Sequence, residues 1–363
     1  MHTNQDAPRA KLESLEVGRF VAASVVLFSH LPWFTHIFAR NPQEAVFGGW
    51  VPPGAFAVQY FFTLSGFVMF TAHHQDFAKP KACLRFWWRR ACRIYPVFWL
   101  SLLATALCMQ TLPAAQELIK QITLAPVSVT DMVPPAWSLH IEMAFYVIFG
   151  LCLLPWIGRP LLALWIVTVL ALCWQPNLQN WLHVPQALES HAALYIFGTN
   201  YTFFHVQFFS GLLAGWLYTK CQPGPRAALA LLLTGLAALL ACLPGLQWGD
   251  LYFTRSLSPG LAFGFGALIL GLASLERAGA FHLGPLACRL GTISYPLYIV
   301  HTSCMLVFFT LADPWFESAG FRLSIPGQYA LLVAATLVIY ALSTAIALFI
   351  DQPLQRLLRR LPI

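Results

Sequence analysis

Ten mostly apolar runs, each about 15 to 24 residues long, alternate with polar or Pro- and Gly-bearing breaks along this chain. A helix rises 1.5 Å per residue, so about 20 residues cross the ~30 Å hydrocarbon core of a bilayer. The pattern predicts helices over about 15–36, 55–74, 94–112, 136–155, 160–174, 204–220, 226–243, 257–275, 291–311 and 327–350. Gly48, Gly49, Pro52 and Pro53 break the chain before the second run. A loop carrying Pro113, Pro126, Pro134 and Pro135 leads into the fourth. The longest loop, about 175–203, is rich in Asn, Gln, His and aromatic residues and is expected to hold a short interfacial helix. The predicted fold class is all-α, a polytopic integral membrane protein with about ten transmembrane helices. No internal repeat and no pair of broken helices in matching halves is visible. Residues 1–363 therefore read as a single domain, with short polar ends at 1–14 and 351–363.

Composition agrees with that pattern. Of the 363 residues 58% are hydrophobic and 10% charged, where soluble domains carry about 25% charged residues. A net charge of +7 raises the question of nucleic acid, and the distribution of the charge answers it. Ten spans put both termini on one side. With the N-terminus inside, all of the 21 Lys and Arg except Arg40, Lys120, Arg255 and Arg322 fall on the inner side, the asymmetry of the positive-inside rule. Both termini are thus expected in the cytoplasm, and no nucleic-acid partner is called for. The polar opening lacks the charged n-region and short h-region of a signal peptide, so the first run reads as a retained span. The nine cysteines form no CxxC pair and avoid the outer loops. That supports neither a disulfide framework nor a zinc site, and no metal is expected.

Candidate chemistry lies in the polar side chains within or beside the apolar runs. Arg19 and His30 are eleven residues apart, just over three turns, so they share nearly one helix face about 16 Å apart along the axis. A charge in the membrane costs on the order of 2.5–3.5 kcal/mol even on the generous insertion scale, which points to a functional site facing the protein interior. The alternative is an arginine snorkelling to headgroups and a histidine bonded to a neighbouring helix. A basic segment with Lys79, Lys81, Arg85, Arg89, Arg90 and Arg93 precedes the third span. Arg89 and Arg90 each stand one helical turn from Arg93, and guanidinium forks suit phosphate oxygens. Plain positive-inside charge or anionic-lipid binding is the competing explanation.

In the fourth span Ser138, Glu142 and Tyr146 follow one another at i, i+4 behind Trp137, a polar stripe on one face. Glu142 lies about a turn and a half into the membrane, where a carboxylate finds a cation or stays protonated. Ser65 and Gly66 in the second span are small enough to admit a close helix or a thin ligand chain. Tyr298 and His301 stand one turn apart in the ninth, His301 being either a second polar group of the core or a satisfied bundle histidine.

Together these stretches resemble membrane acyltransferase family 3, bacterial O-acyltransferases of surface and exported glycans. The resemblance rests on the Arg19-to-His30 spacing, Phe-Phe-Thr-Leu-Ser-Gly-Phe at 61–67 and Arg-Arg-Ala-Cys-Arg-Ile-Tyr-Pro at 89–96. Trp-Ser-Leu-x-x-Glu-x-x-Phe-Tyr at 137–146 and Ser-Tyr-Pro-Leu-Tyr-x-x-His at 294–301 complete it. It covers nearly the whole chain. It implies that His30 is the essential catalytic residue with Arg19 its companion. It also implies that Arg90 and Arg93 serve a cytoplasmic acyl donor, usually acetyl-coenzyme A or another acyl-coenzyme A, at a bacterial cytoplasmic (inner) membrane. Two features depart from the family pattern. Asp351-Gln-Pro353 stands where such proteins often have Glu-x-Pro. The soluble esterase-like extension of some members is missing after the bundle, which leaves the final transfer to the bundle or to a separate periplasmic transferase.

The expected reaction follows. Coenzyme A docks its phosphates at Arg89, Arg90 and Arg93, and its acylated arm threads up between helices. His30 either takes the proton of a hydroxyl on a glycan or lipid-linked glycan, or accepts the acyl group itself. Glu142 is expected to orient His30 or the acceptor, and the loop at 175–203 to cover the acceptor side. Membrane lipids are the other partners. A proton-coupled transporter using Arg19, His30 and Glu142 as a relay is the rival, and the missing repeat symmetry argues against it.

Overall fold

A computed structural model describes residues 12–41, 43–79, 81–109, 112–125, 131–174, 202–243, 257–320, 322–358 and 360. Each of the ten predicted segments contains a helix. In chain order the described helices are α1 (Glu13–Ile37), α2 (Gly54–His73), α3 (Ala82–Cys108), α4 (Ala115–Ile122), α5 (Ala136–Cys152) and α6 (Gly158–Trp174). They continue with α7 (Thr202–Lys220), α8 (Pro225–Cys242), α9 (Ser258–Arg277), α10 (Pro285–Ser318), α11 (Ile325–Ile346) and α12 (Gln352–Leu358). Among the described residues, seven stretches are long and apolar enough to cross a membrane: α1, α2, α3, α8, α9, α10 and the run from α11 through α12. Two shorter apolar helices lie at α5 and α6.

The boundaries differ from the sequence pattern in four places. The basic segment expected before the third span is instead the first three turns of α3. Phe86 and Cys92 bury one face there while Arg85 and Arg89 stay exposed, and no Gly or Pro interrupts residues 82–95. α10 is longer than predicted because Pro285 opens it at its first turn, where a missing N–H costs nothing. The last predicted span, 327–350, ends in a π-helical turn, Ala347–Asp351, and the predicted tail forms α12. Finally, the expected loop at 113–135 contains α4. The 175–203 loop lies almost wholly outside the described residues.

α4 and its flanks fold back along α3. Trp99 Nε1 donates to the Ile122 carbonyl at 2.9 Å and Tyr95 OH to the Thr123 carbonyl at 2.7 Å. Trp99 stands nine residues before the end of α3, so the chain returns about 13 Å along that helix. α5 then starts part-way along the bundle and needs only 17 residues, about 25 Å, to finish the crossing.

Contacts between helices set their directions. α1 and α10 run together, Glu16 beside Gly291, His30 beside His301 and Phe34 beside Phe308. α3 runs with α10, pairing Ile94 with Tyr295 and Thr105 with Ser303. α2 opposes α1, with Tyr60 against Gly18 and Gly54 against Ser29. α7 runs with α2, pairing Thr63 with Gln207 and Phe70 with Gly215. α5 opposes α3, since its start meets Tyr298 and its Tyr146 carbonyl meets Trp87.

Several polar groups inside the bundle are satisfied across helices, as an apolar solvent favours. Gln207 Nε2 donates to Gln59 Oε1 at 2.9 Å and to the Ser258 carbonyl at 3.2 Å, tying α7 to α2 and α9. Ser101 and Thr105 of α3 both meet Ser303 of α10, at 2.6 and 2.8 Å. At the N-terminus of α1, the Glu276 carboxylate accepts from the Glu13 and Ser14 backbone N–H groups at 2.6 and 2.9 Å. Glu13 in turn accepts from the Leu283 and Gly284 N–H groups ahead of α10, at 2.6 and 3.0 Å. Three helices are clamped at one end by two carboxylates.

Gly66 is a packing residue here, not part of a ligand path. A Cβ at Gly66 would strike the Phe208 carbonyl, and one at Gly211 the Thr63 carbonyl, so α2 and α7 touch backbone to backbone. Gly66→Leu is therefore expected to cost about 1–3 kcal/mol by overpacking. A fall in the melting temperature of the detergent-purified protein would read it; an unchanged melting temperature would contradict this packing.

Candidate functional site

Two neighbouring chambers lie in the bundle, the inner one between α1, α2, α3, α5 and α10 and the vestibule between α1, α3, α10 and the C-terminal segment. The inner one, about 90 Å³, has three guanidinium groups at one end: Arg19, Arg90 and Arg93. Ser65, Glu142 and Tyr146 line its middle, and Ser138 and Tyr298 its far end. Val58, Phe61, Phe62, Leu64 and Val68 of α2 form an apolar wall. The outer vestibule, about 340 Å³, is polar, lined by Glu16, Thr292, Asp351, Gln352, Gln355 and Arg356 among others. Arg19, Arg93 and Tyr295 border both chambers and form the waist between them. Tyr295 is fixed there by its hydroxyl, which donates to the Ile94 carbonyl at 2.6 Å.

The cations at the waist are unevenly balanced. Arg19 has Glu16 at 3.6 Å, one turn back on α1. Arg90 lies over the rings of Phe86 and Tyr146, 5.4 and 5.2 Å from their centroids. Among the described residues, no carboxylate lies within 4 Å of either the Arg90 or the Arg93 guanidinium. Glu142 accepts instead from Tyr146 OH and, at 3.4 Å, from Ser65 Oγ. This is a half-buried surface with surplus positive charge and fork-shaped donors, suited to an anion with several oxygens. Arg89 is exposed and lines neither chamber.

At the far end Ser138 Oγ and Tyr298 OH share a bond of 2.6 Å, and Tyr298 also donates to the Pro135 carbonyl at 3.2 Å. One turn further along α10, His301 is fully buried and faces His30 of α1. His30 Nδ1 lies 2.9 Å from the Val26 carbonyl and 3.3 Å from His301 Nε2. His301 Nδ1 lies 3.1 Å from the Leu297 carbonyl. Carbonyl oxygens only accept, so both imidazoles carry their proton on Nδ1, and His301 Nε2 accepts a share of the His30 Nδ1–H. That tautomer leaves the lone pair of His30 on Nε2, the nitrogen a base or nucleophile needs.

The sequence-predicted residues thus fall into two groups joined by Tyr298. Arg19, Ser65, Arg90, Arg93, Ser138, Glu142, Tyr146 and Tyr298 converge on the inner chamber. His30 and His301 sit together one turn beyond it. Glu142 makes no hydrogen bond to His30; the side chains at His30 Nδ1 are its neighbour Ser29 and, from another helix, His301, which the sequence left undecided between core polarity and function. Trp137 packs on Phe204 of α7, 5.6 Å between centroids, and lies outside the chamber. Sequence reasoning missed Glu16, Thr292, Tyr295 and the vestibule face of the C-terminal segment. For Glu16 the i, i+3 spacing from Arg19 was available as a signal. Among the described residues, no group of three or more His, Cys, Asp or Glu is placed to hold a metal ion.

A family model described as an acyltransferase domain matches residues 12–349. The chain belongs to acyltransferase family 3. The matched span runs from α1 into the π-helical turn, so it holds the whole lining of the inner chamber, while Asp351, Gln352, Gln355 and Arg356 of the vestibule lie beyond it. The exopolysaccharide production protein ExoZ of Rhizobium meliloti (strain 1021) is 25% identical over 330 residues, covering 84% of this chain and 90% of that protein. No solved structure gives a significant match. With its apolar helices, this family 3 acyltransferase is a multi-pass membrane protein.

Loss of one hydroxyl tests the far end of the chamber. Tyr298→Phe removes the hydroxyl's bonds to Ser138 Oγ and to the Pro135 carbonyl, leaving Ser138 only its own 3.0 Å bond to that carbonyl. It is expected to cost about 0.5–1.5 kcal/mol, measured as a lower melting temperature, while Phe61 still packs on the retained ring.

Proposed function

We propose that this protein is a membrane O-acyltransferase that takes an acyl group, acetyl by preference, from cytoplasmic acyl-coenzyme A to a hydroxyl of a surface or periplasmic glycan. The observation that carries this reading is a chamber with a cationic end, beyond whose far end the His30–His301 pair sits one helical turn along α10. The donor's phosphates bind at Arg19, Arg90 and Arg93, and its thioester arm lies along the α2 wall. His30 Nε2 takes the proton of the acceptor hydroxyl, that oxygen attacks the thioester carbonyl, and the C–S bond breaks as the proton passes to the departing coenzyme A thiolate. Equally, Nε2 attacks first, coenzyme A leaves as its thiol, and the acyl group passes from Nε2 to the acceptor oxygen. Both routes need the tautomer that His301 and Val26 support. Similarity to ExoZ, named for exopolysaccharide production, favours an exported glycan as acceptor.

The same proposal gives ten crossings with both termini in the cytoplasm of a bacterial inner membrane. The directions support it: α1, α3 and α10 run one way and α2, α5 and α7 the other, as odd and even spans of that topology require. Exposed Cys221, in the turn between α7 and α8, then faces the cytoplasm. A membrane-impermeant maleimide is expected to label Cys221 in inside-out vesicles and not in intact spheroplasts. Labelling in intact spheroplasts would overturn the orientation.

Turnover tests the chemistry. Purified protein in nanodiscs is expected to release free coenzyme A slowly from acetyl-coenzyme A when no acceptor is present. His30→Ala should cut kcat by about 10²–10⁴ with little change in KM. Arg93→Ala should raise KM about tenfold, equivalent to ~1.4 kcal/mol of donor binding. Wild-type protein that cleaves no acyl-coenzyme A would sink the donor assignment and return the transporter reading to the front.

A further inference from the structure

The vestibule has a wall that the proposed reaction does not use. The π-helical turn Ala347–Asp351 redirects the chain at the end of α11, and α12 turns beneath α3, where Trp88 Nε1 donates to the Leu358 carbonyl at 3.1 Å. π turns cluster at functional sites because they re-aim side chains. Here the turn and α12 bring Asp351, Gln352, Gln355 and Arg356 to one chamber with Arg19, Arg93 and Thr292. Asp351 is buried, and Gln355 Nε2 holds its Oδ1 at 2.8 Å. Across the chamber, Pro296 has no N–H to offer the carbonyl of Thr292, so that oxygen lacks its intrahelical donor.

The donor set is mixed in a particular way. A site for phosphate alone needs cations and N–H groups, and a buried carboxylate would oppose it. Amide side chains and a carboxylate instead match a ribose hydroxyl and the edge of a heterocycle. The guanidinium groups of Arg19 and Arg93 at the waist and Arg356 across from them supply anion sites on either side. About 340 Å³ also falls within the usual range of small-molecule pockets.

We propose that the vestibule between α1, α10 and the C-terminal segment Ala347–Leu358 is a nucleotide half-site that holds a phosphorylated adenosine. The choice of nucleotide rests on the acyl-coenzyme A reading, whose donor ends in such a group. Arg356 pairs with the ribose phosphate, Gln352 and Gln355 read the base, and Asp351 accepts from a ribose hydroxyl. The diphosphate then reaches Arg19 and Arg93, and the thioester arm enters the inner chamber. This site acts as an anchor and takes no part in the chemistry.

The test uses full-length protein in nanodiscs of neutral lipid, so that anionic headgroups do not compete. Binding of adenosine 3′,5′-bisphosphate is measured by calorimetry for wild type, Arg356→Ala and Gln352→Ala, each checked for an unchanged gel-filtration profile. The expected result is saturable binding by wild type and at least tenfold weaker binding by Arg356→Ala and by Gln352→Ala. Wild type that does not bind the bisphosphate overturns the proposal, as does wild-type affinity in both variants. Acetyl-coenzyme A cleavage, assayed on the same wild-type preparation, separates the two readings. Binding without cleavage leaves the nucleotide site standing and removes the donor reading. Cleavage without binding does the reverse.

Discussion

The arrangement depends on keeping a guanidinium group part-way into an apolar slab. Arg19 is tolerable there because Glu16 sits one turn away on the same helix and because both face a polar chamber instead of lipid. That orientation depends on the rotation of α1 about its own axis. Two carboxylates set the rotation: Glu276 caps α1 from α9, and Glu13 caps α10 from α1. Gly291 leaves the space into which Glu16 folds, since a Cβ there would overlap its carboxylate. From this end the two helices run side by side, and His30 meets His301 further along. The histidine pair is therefore a consequence of the same registration that pairs Arg19 with Glu16.

A second constraint comes from α4. By turning back along α3, the chain between α3 and α5 makes α5 begin part-way along the bundle. Its first turn then brings Ser138 to Tyr298, closing the far end of the inner chamber. A full-length helix starting at the bundle's edge would carry Ser138 out of reach of Tyr298. The fold-back is pinned by Trp99 and Tyr95, and by His140, whose ring bonds the Ala125 carbonyl at 2.5 Å and Asp131 at 3.0 Å. None of these groups touches the chamber, yet they hold the helix that does.

Apolar run length made all ten helical segments legible, and helix periodicity made Arg19, Ser138, Glu142 and Tyr146 legible as inward-facing groups. Periodicity within one helix says nothing about partners on another. Glu142 looked like the group to orient His30 because both are ionisable and membrane-embedded; the structure pairs His30 with His301 and Glu142 with Tyr146. The vestibule was illegible for a different reason. A short polar tail after the last apolar run reads as a tail, and only the π-helical turn, which has no sequence signature of its own, swings it under α3. Gly66 carried an ambiguous signal, since a small residue admits either a ligand or a neighbouring backbone, and the backbone of α7 fills the space.

The two chambers divide the electrostatic labour in a way that suits transfer between opposite faces. Cationic groups collect at the waist and beyond, while the far end offers only hydroxyls and neutral imidazoles. On the proposed reading an anionic carrier is attracted as far as Arg19, Arg90 and Arg93, and the Glu142 carboxyl beyond them offers an anion no attraction. An uncharged arm meets no such barrier along the apolar face of α2. The low-dielectric wall strengthens the discrimination, because both the attraction and the repulsion grow as water is excluded. If the proposed donor binds here, such a bundle sorts one molecule into parts by charge: the charged end stays where the cations are, and the neutral reactive end goes on toward His30.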